Sequence, residues 1–240
     1  MLEGAYAVVG VIATLLLALG AVLGRALTPY AGVVAAAFGI VIVLFVAASA
    51  LATRYRFDEK KRQALQEGRS GERGVSNVVA HIVLPTAIAV AGGVSPPLLP
   101  SDATPLLFAS ALSFGASDTF ASEFGVLAGR AKSILTGREV PPGTNGGVSR
   151  FGQLFAVVGA VTTAVVGLLL FWGFRTPLPN PVLFTIVVAL AGFLGCQVDS
   201  VLGELFENRG QLSKGSTNLL GMLSSAVIAA GALSLLGGML

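Results

Sequence analysis

Charge is scarce in this sequence: 15 Lys and Arg and 12 Asp and Glu in 240 residues, or 11%. A soluble domain carries about 25%, so these charges are too few to cover a soluble surface of this size. Cysteine and histidine are scarcer still, with one of each, Cys196 and His81. A single cysteine excludes a disulfide scaffold, and one Cys with one His leaves a zinc site short of ligands. The net charge of +3 is too small to point to nucleic acid. What is abundant is apolar. Hydrophobic residues make up 54% and the mean hydropathy is +0.84. That content excludes a disordered chain. The expectation is an all-α, polytopic helical membrane protein forming one integral membrane domain over residues 1–240.

A span needs about 20 mostly apolar residues, and seven segments qualify, with six or eight as alternatives. Gly4 to Gly24 and Thr28 to Thr53 are both free of charged residues. The third runs from near Val75 to the Ser95-Pro96-Pro97 turn, with Pro85 as a possible kink. The others are Thr104 to Gly125, Phe151 to Phe174, Pro181 to Phe206 and Ser216 to Leu240. Met1-Leu2-Glu3 lacks the basic start of a signal peptide, so the first helix is expected to be retained.

Apart from Arg25 and Arg175, every Lys and Arg lies in the connections after spans two, four and six or at their edges. By the positive-inside rule these connections are cytoplasmic, with the N-terminus inside the cell membrane. Trp172 and Phe174 then fall at the outer interface. The basic loop 54–74 reads as a solvated connector that enforces topology, or as a rim for anionic headgroups or a nucleotide.

The spans contain four acids: Asp118, Glu123, Asp199 and Glu204. A carboxylate in a span costs about 2.5–3.5 kcal/mol on insertion scales, so each needs a partner. The flanking segments match. Asp118-Thr-Phe-Ala-Ser-Glu123 and Asp199-Ser-Val-Leu-Gly-Glu204 share one pattern, and each precedes a loop and a Thr-Asn pair, Thr144-Asn145 and Thr217-Asn218. Residues 104–172 and 185–240 therefore read as diverged repeats. Asp118 and Ser122 share a helix face. Clustered carboxylates repel unless a cation lies between them, and hard oxygen ligands suit Mg²⁺. Asp118, Glu123, Asp199 and Glu204 are the expected metal ligands; protonation or pairing with loop cations is the competing reading. The run Pro141-Pro-Gly-Thr-Asn-Gly-Gly-Val-Ser149 is no Walker loop, but glycines and a helix start suit phosphate. It is a phosphate cradle or a turn with an N-cap. Lys132, Arg138 and Arg150 lie near it in sequence.

At these residues the chain resembles the phytyl-phosphate kinases of the plant vitamin E pathway and their membrane relatives in archaea, bacteria and animals. The resemblance rests on Ala116–Gly125, Val140–Ser149 and Gly195–Gly203, in matching order and spacing. It implies transfer of a phosphoryl group from a nucleoside triphosphate, CTP by preference, to an isoprenyl monophosphate such as phytyl or geranylgeranyl phosphate. Asp118, Glu123 and Asp199 are then the catalytic candidates. Substrate or nucleotide would be held by Lys132, Arg138, Gly143, Thr144, Asn145, Gly146, Gly147, Ser149, Asn77, Arg73, Ser122 and Asn218. Where the family tends to have a Gln-Val-x-Ala-Asn-like run, this chain reads Asn77-Val-Val-Ala-His81, leaving His81 either a packing or a functional role. The implied partners are a lipid bilayer, the isoprenyl phosphate and the nucleotide, with no nucleic acid and with oligomerisation left open. The competing functions are an ion-coupled transporter and a CTP-dependent lipid cytidylyltransferase.

Overall fold

The computed structural model describes residues 2–25, 27–67, 75–93, 98–178 and 180–236, and the side chains of all of these except 2–6 and 75–78. The described residues form eight α-helices in order: α1 Leu2–Leu23, α2 Pro29–Arg54, α3 Phe57–Arg62, α4 Val75–Gly93, α5 Ala103–Gly125, α6 Arg150–Gly173, α7 Pro181–Leu202 and α8 Lys214–Leu236. Their starts carry local signals. Thr28 and Asn180 cap α2 and α7, each followed by Pro at the first helical position, where proline's missing N–H costs nothing. Ser149 caps α6 by accepting from Gly152 N at 2.9 Å.

Seven of these helices are 19 to 26 residues long, where spans are expected. Among the described residues, four are long and apolar enough to cross a membrane: α2, α6, α8, and α7 with the turn that continues it to Glu207. The apolar stretches of α1 and α4 are shorter, Ala7–Leu23 and Val79–Gly93. The acid-bearing fourth segment, α5, is absent from that set for a physical reason. It is the centre of the bundle, packed against α2, α4, α6, α7 and α8. Most of it is buried, with Leu106, Phe108, Leu112 and Phe114 fully so. A helix with no face toward lipid does not need a lipid-like composition, so α5 carries buried Ser110, Ser113, Ser117 and Thr119. Two of these residues take part in interhelical bonds: Ser113 Oγ donates to Ala160 O at 3.3 Å, and Ser225 Oγ donates to Ser110 O at 2.7 Å.

Small residues bring α5 close to its neighbours, as membrane bundles require. A Cβ on Gly159 would stand 2.5 Å from Ala116 O, and one on Gly192 would meet Ser113 Oγ at 2.0 Å. At the far end, Phe38, Phe108, Phe171 and Phe184 interlock, with Phe38 and Phe108 edge-on at 4.5 Å. Large apolar side chains cover the outside instead, including Leu17, Leu169, Trp172 and Val227, as expected of a surface facing lipid.

Two features depart from a purely helical reading. Between α5 and α6 lies a three-stranded antiparallel sheet, β1 Ala131–Ser133, β2 Glu139–Val140 and β3 Gly147–Val148, in the order β2-β1-β3. Between α7 and α8, Gly203–Glu207 forms a wider π-type turn.

The close α5–α6 contact generates a prediction. Gly159→Ala forces a methyl group onto the Ala116 carbonyl and is expected to destabilise the protein by about 1–3 kcal/mol. Thermal unfolding of the detergent-solubilised protein measures this, and an unchanged Tm would mean that the two helices separate without cost.

Candidate functional site

A cavity of about 340 Å³ opens at the end of the bundle where the connections after α2, α5 and α7 meet. That size is within the range of small-molecule sites. Its walls come from separate parts of the chain: Ala64–Glu67 after α3, Asp118 to Val126 at the end of α5, Pro142–Ser149, and Asp199 to Glu207 with Lys214 and Asn218.

The α5 face does what its spacing predicts. Asp118 and Ser122, four residues apart, both line the cavity, and Asp199 reaches it from α7. The Oδ1 atom of Asp199 is buried and accepts no hydrogen bond from any described group. A buried carboxylate oxygen left in this state is costly. Behind Asp118, His81 is 2% exposed and stacks between the rings of Phe45 and Phe114. Its Nε2 is 3.9 Å from Asp118 Oδ2.

The glycine loop forms the opposite wall. Gly143, Thr144, Asn145, Gly146, Gly147 and Ser149 all line the cavity. Thr144 Oγ1 donates to Pro141 O at 2.7 Å, and Gly147 N donates to Thr144 O at 2.8 Å, closing a tight turn. Gly146 has φ +79°, and a Cβ there would stand 2.4 Å from Glu204 Cβ. Both its backbone conformation and its close approach to α7 therefore require glycine. The run is a turn, a short strand and an N-cap together.

The four acids do not form one cluster. Among the described residues, no group of three His, Cys, Asp or Glu gathers to hold a metal ion. Glu204 does not line the cavity. Ser133 Oγ donates to its Oε1 at 2.6 Å, so it fastens the sheet to α7. Glu123 lines the cavity but binds the ammonium of Lys60, with Oε2 2.7 Å from Nζ. Lys60 also donates to Ala52 O at 3.0 Å and Thr53 O at 3.2 Å, and is 1% exposed. The basic connector is therefore not wholly solvated: one of its lysines turns inward, caps the end of α2 and pairs with α5. The expected cations are also displaced. Strand β1 alternates, with Ala131 and Ser133 buried and Lys132 exposed, and neither Lys132 nor Arg138 lines the cavity. Arg73, and the side chain of Asn77, lie outside the described residues. Asn218 lines the cavity, 2% exposed, with Nδ2 lacking a described partner.

Sequence reasoning missed Glu207 and Lys214. Glu207 is eight residues after Asp199, roughly 80° round a regular helix. The wider turn at Gly203–Glu207 absorbs one residue, which returns Glu207 to within about 20° of Asp199. Thr217 Oγ1 donates to Glu207 Oε2 at 3.1 Å. The paired Gly203 and Asp199 were the available signal, since a π-type turn often marks a functional site. Lys214 opens α8 and bonds Glu67 Oε2 at 3.2 Å.

Chemically, the cavity offers Asp118, Asp199 and Glu207, the lysine-paired Glu67 and Glu123, the ammonium of Lys214, and a loop with glycines and hydroxyls. This donor set fits a divalent cation held by one or two carboxylates with the remaining ligands from a polyanion.

Apolar helices packed around the serine-bearing central helix α5, with a polar cavity at one end, define an integral membrane protein. The chain belongs to the family described as Integral membrane protein DUF92, whose model matches residues 2–236. It is similar to "Uncharacterized membrane protein MJ0933" of Methanocaldococcus jannaschii, 27% identical over 190 residues, which are 79% of this chain and 73% of that one. "Uncharacterized membrane protein sll0875" of Synechocystis is 32% identical over 177 residues, 71% of this chain and 63% of its own. "Protein PGR" of Arabidopsis thaliana is 29% identical over 189 residues, 72% of this chain and 65% of its own. The chain thus spans slightly under two thirds of the length of the latter two relatives. No solved structure matches it.

The buried ion pair yields a prediction. Lys60→Met leaves Glu123 as an uncompensated buried charge and should cost about 3–5 kcal/mol. Adding Glu123→Gln should recover most of that loss. Thermal unfolding of the two variants measures both effects, and a Lys60→Met protein as stable as the parent would contradict the pairing.

Proposed function

We propose that this protein is a membrane-embedded polyprenyl-phosphate kinase. It transfers the terminal phosphoryl group of a nucleoside triphosphate, CTP by preference, to an isoprenyl monophosphate such as phytyl or geranylgeranyl phosphate, giving the diphosphate. The observation that carries this reading is the convergence of Asp118, Asp199 and the Gly143–Ser149 loop on one cavity, with Asp199 Oδ1 buried and unsatisfied. The resemblance of these same segments to phytyl-phosphate kinases supports it.

A phosphate monoester has its second pKa near about 6 and is mostly dianionic at neutral pH. It needs no general base. An oxygen of the lipid phosphate attacks the terminal phosphorus of the nucleotide, the bond to the bridging oxygen breaks, and the nucleoside diphosphate leaves with the electron pair. The obstacle is bringing two polyanions together, so catalysis rests on positioning and charge neutralisation. Asp118 and Asp199 would hold Mg²⁺, which supplies charge neutralisation at the phosphate oxygens when bound. The glycine loop brings backbone close to the donor phosphates, with Thr144 and Ser149 as side-chain donors. Asn218 Nδ2, buried and without a described partner, is placed to donate to a phosphate oxygen.

In this reading α1, α2 and α4–α8 are seven spans, residues 104–172 and 185–240 are diverged repeats, and the cavity opens to the cytoplasm from the plasma membrane with the N-terminus inside. The placement also favours chemistry over ion-coupled transport, whose sites sit near the membrane midplane. Here loop residues line half the cavity at one end of the bundle.

Purified protein with CTP, Mg²⁺ and geranylgeranyl phosphate tests the reading. Asp118→Asn should lower turnover by about 100-fold or more, as loss of a transition-state charge contact does, with an unchanged Tm. Near-normal turnover in that variant would sink the metal role.

A further inference from the structure

The cation that lines this cavity among the described residues sits where helix stability would not put it. Lys214 is the first residue of α8. The N-terminus of a helix carries partial positive charge and favours acids, not lysine. Ammonium and helix terminus therefore add to one positive field, and Lys214 lines the cavity. One carboxylate partner comes from 147 residues away: Glu67 Oε2 lies 3.2 Å from Lys214 Nζ. Both side chains are partly exposed, 54% for Lys214 and 28% for Glu67. An ion pair so open to water contributes little to stability, so it is readily exchanged.

The segment that carries Glu67 nevertheless leaves α3 through a defined turn. Leu65 N donates to Lys60 O and Ala64 N to Lys61 O, the two bonds of a Schellman turn. Ala64 occupies its left-handed position with φ +56°, where glycine is usual. The turn is fixed to the buried Lys60, and the segment Ala64–Glu67 that follows forms a wall of the cavity. Leu65 also presses on Gly143, since a Cβ there would stand 2.7 Å from Leu65 Cδ2. A carboxylate is thus presented to the cavity lysine by a built wall.

We propose that Lys214 is the phosphate-binding cation of this site, and that Glu67 is a resident carboxylate which the incoming polyphosphate displaces from it. This rests on the kinase reading for its ligand, a nucleoside polyphosphate. Phosphate oxygens carry more charge than one carboxylate and make stronger charge-assisted bonds to the ammonium. Glu67 therefore sets a threshold: it competes with polyanions for Lys214 and repels those that do not neutralise it.

Calorimetric titration of the detergent-solubilised full chain with inorganic tripolyphosphate and Mg²⁺ tests the competition directly. Glu67→Gln should tighten binding by about three- to fivefold, the worth of an exposed pair. Lys214→Met should weaken it about tenfold or more, and Lys214→Arg should retain it. In the Lys214→Met background, Glu67→Gln should lose its effect, because the two residues act on one contact. The proposal is overturned if Glu67→Gln leaves affinity unchanged or weakens it, if Lys214→Met binds like the parent, or if the parent binds no tripolyphosphate. If the expected shifts appear while no phosphoryl group reaches geranylgeranyl phosphate, the Lys214–Glu67 competition stands and the kinase reading fails.

Discussion

A buried ammonium ties the cavity end of the bundle together. Lys60 Nζ bonds two carbonyls in the last turn of α2, Ala52 and Thr53, and the carboxylate of Glu123 near the end of α5. All three donors of the ammonium are used. Helix C-terminal carbonyls lack internal partners, and a buried carboxylate needs a counter-charge, so one side chain answers both demands. It also fixes the turn that launches Ala64–Glu67, and with it a wall of the cavity. The acid face of α5, the glycine loop and the basic connector keep their relative positions because this one group is satisfied from two directions.

The second constraint is the placement of α5. Its serines and acids are tolerable only inside a shell of apolar helices, and its neighbours approach closely only because glycines stand opposite, as at Gly159 and Gly192. The same arrangement leaves the ends of α5 and α7 side by side. The small sheet between α5 and α6 is then fastened over them by Glu204 through Ser133. Fold and cavity are one construction: a polar central helix, apolar covering helices, and loops that close one end.

Much of this was legible in the sequence where chemistry is local. The caps Thr28, Ser149 and Asn180, the Asp118–Ser122 face and the glycine loop follow from residue type and short-range spacing. Asp118 and Asp199 stood out because charge inside an apolar segment is costly. What escaped depends on non-local geometry. Glu123 and Glu204 look equivalent to the aspartates in sequence, yet one is claimed by Lys60 and the other by Ser133. Lys132 seemed well placed until strand alternation turned it outward. Glu207 enters the cavity only through the wide turn after Leu202. Lys60 sits among solvated charges, and nothing in its immediate neighbours marks it as the one that folds inward.

In the proposed reaction the site moves the terminal phosphoryl group of a nucleotide onto a lipid phosphate. The fate of a labelled phosphorus tests it most directly. Purified protein with Mg²⁺ and geranylgeranyl phosphate is given CTP labelled at the γ position and, separately, at the α position. The γ-label is expected in geranylgeranyl diphosphate and the α-label in released CDP. Appearance of the α-label in the lipid, with pyrophosphate released, would make the protein a cytidylyltransferase and contradict the account, as would the absence of label from the lipid in both cases.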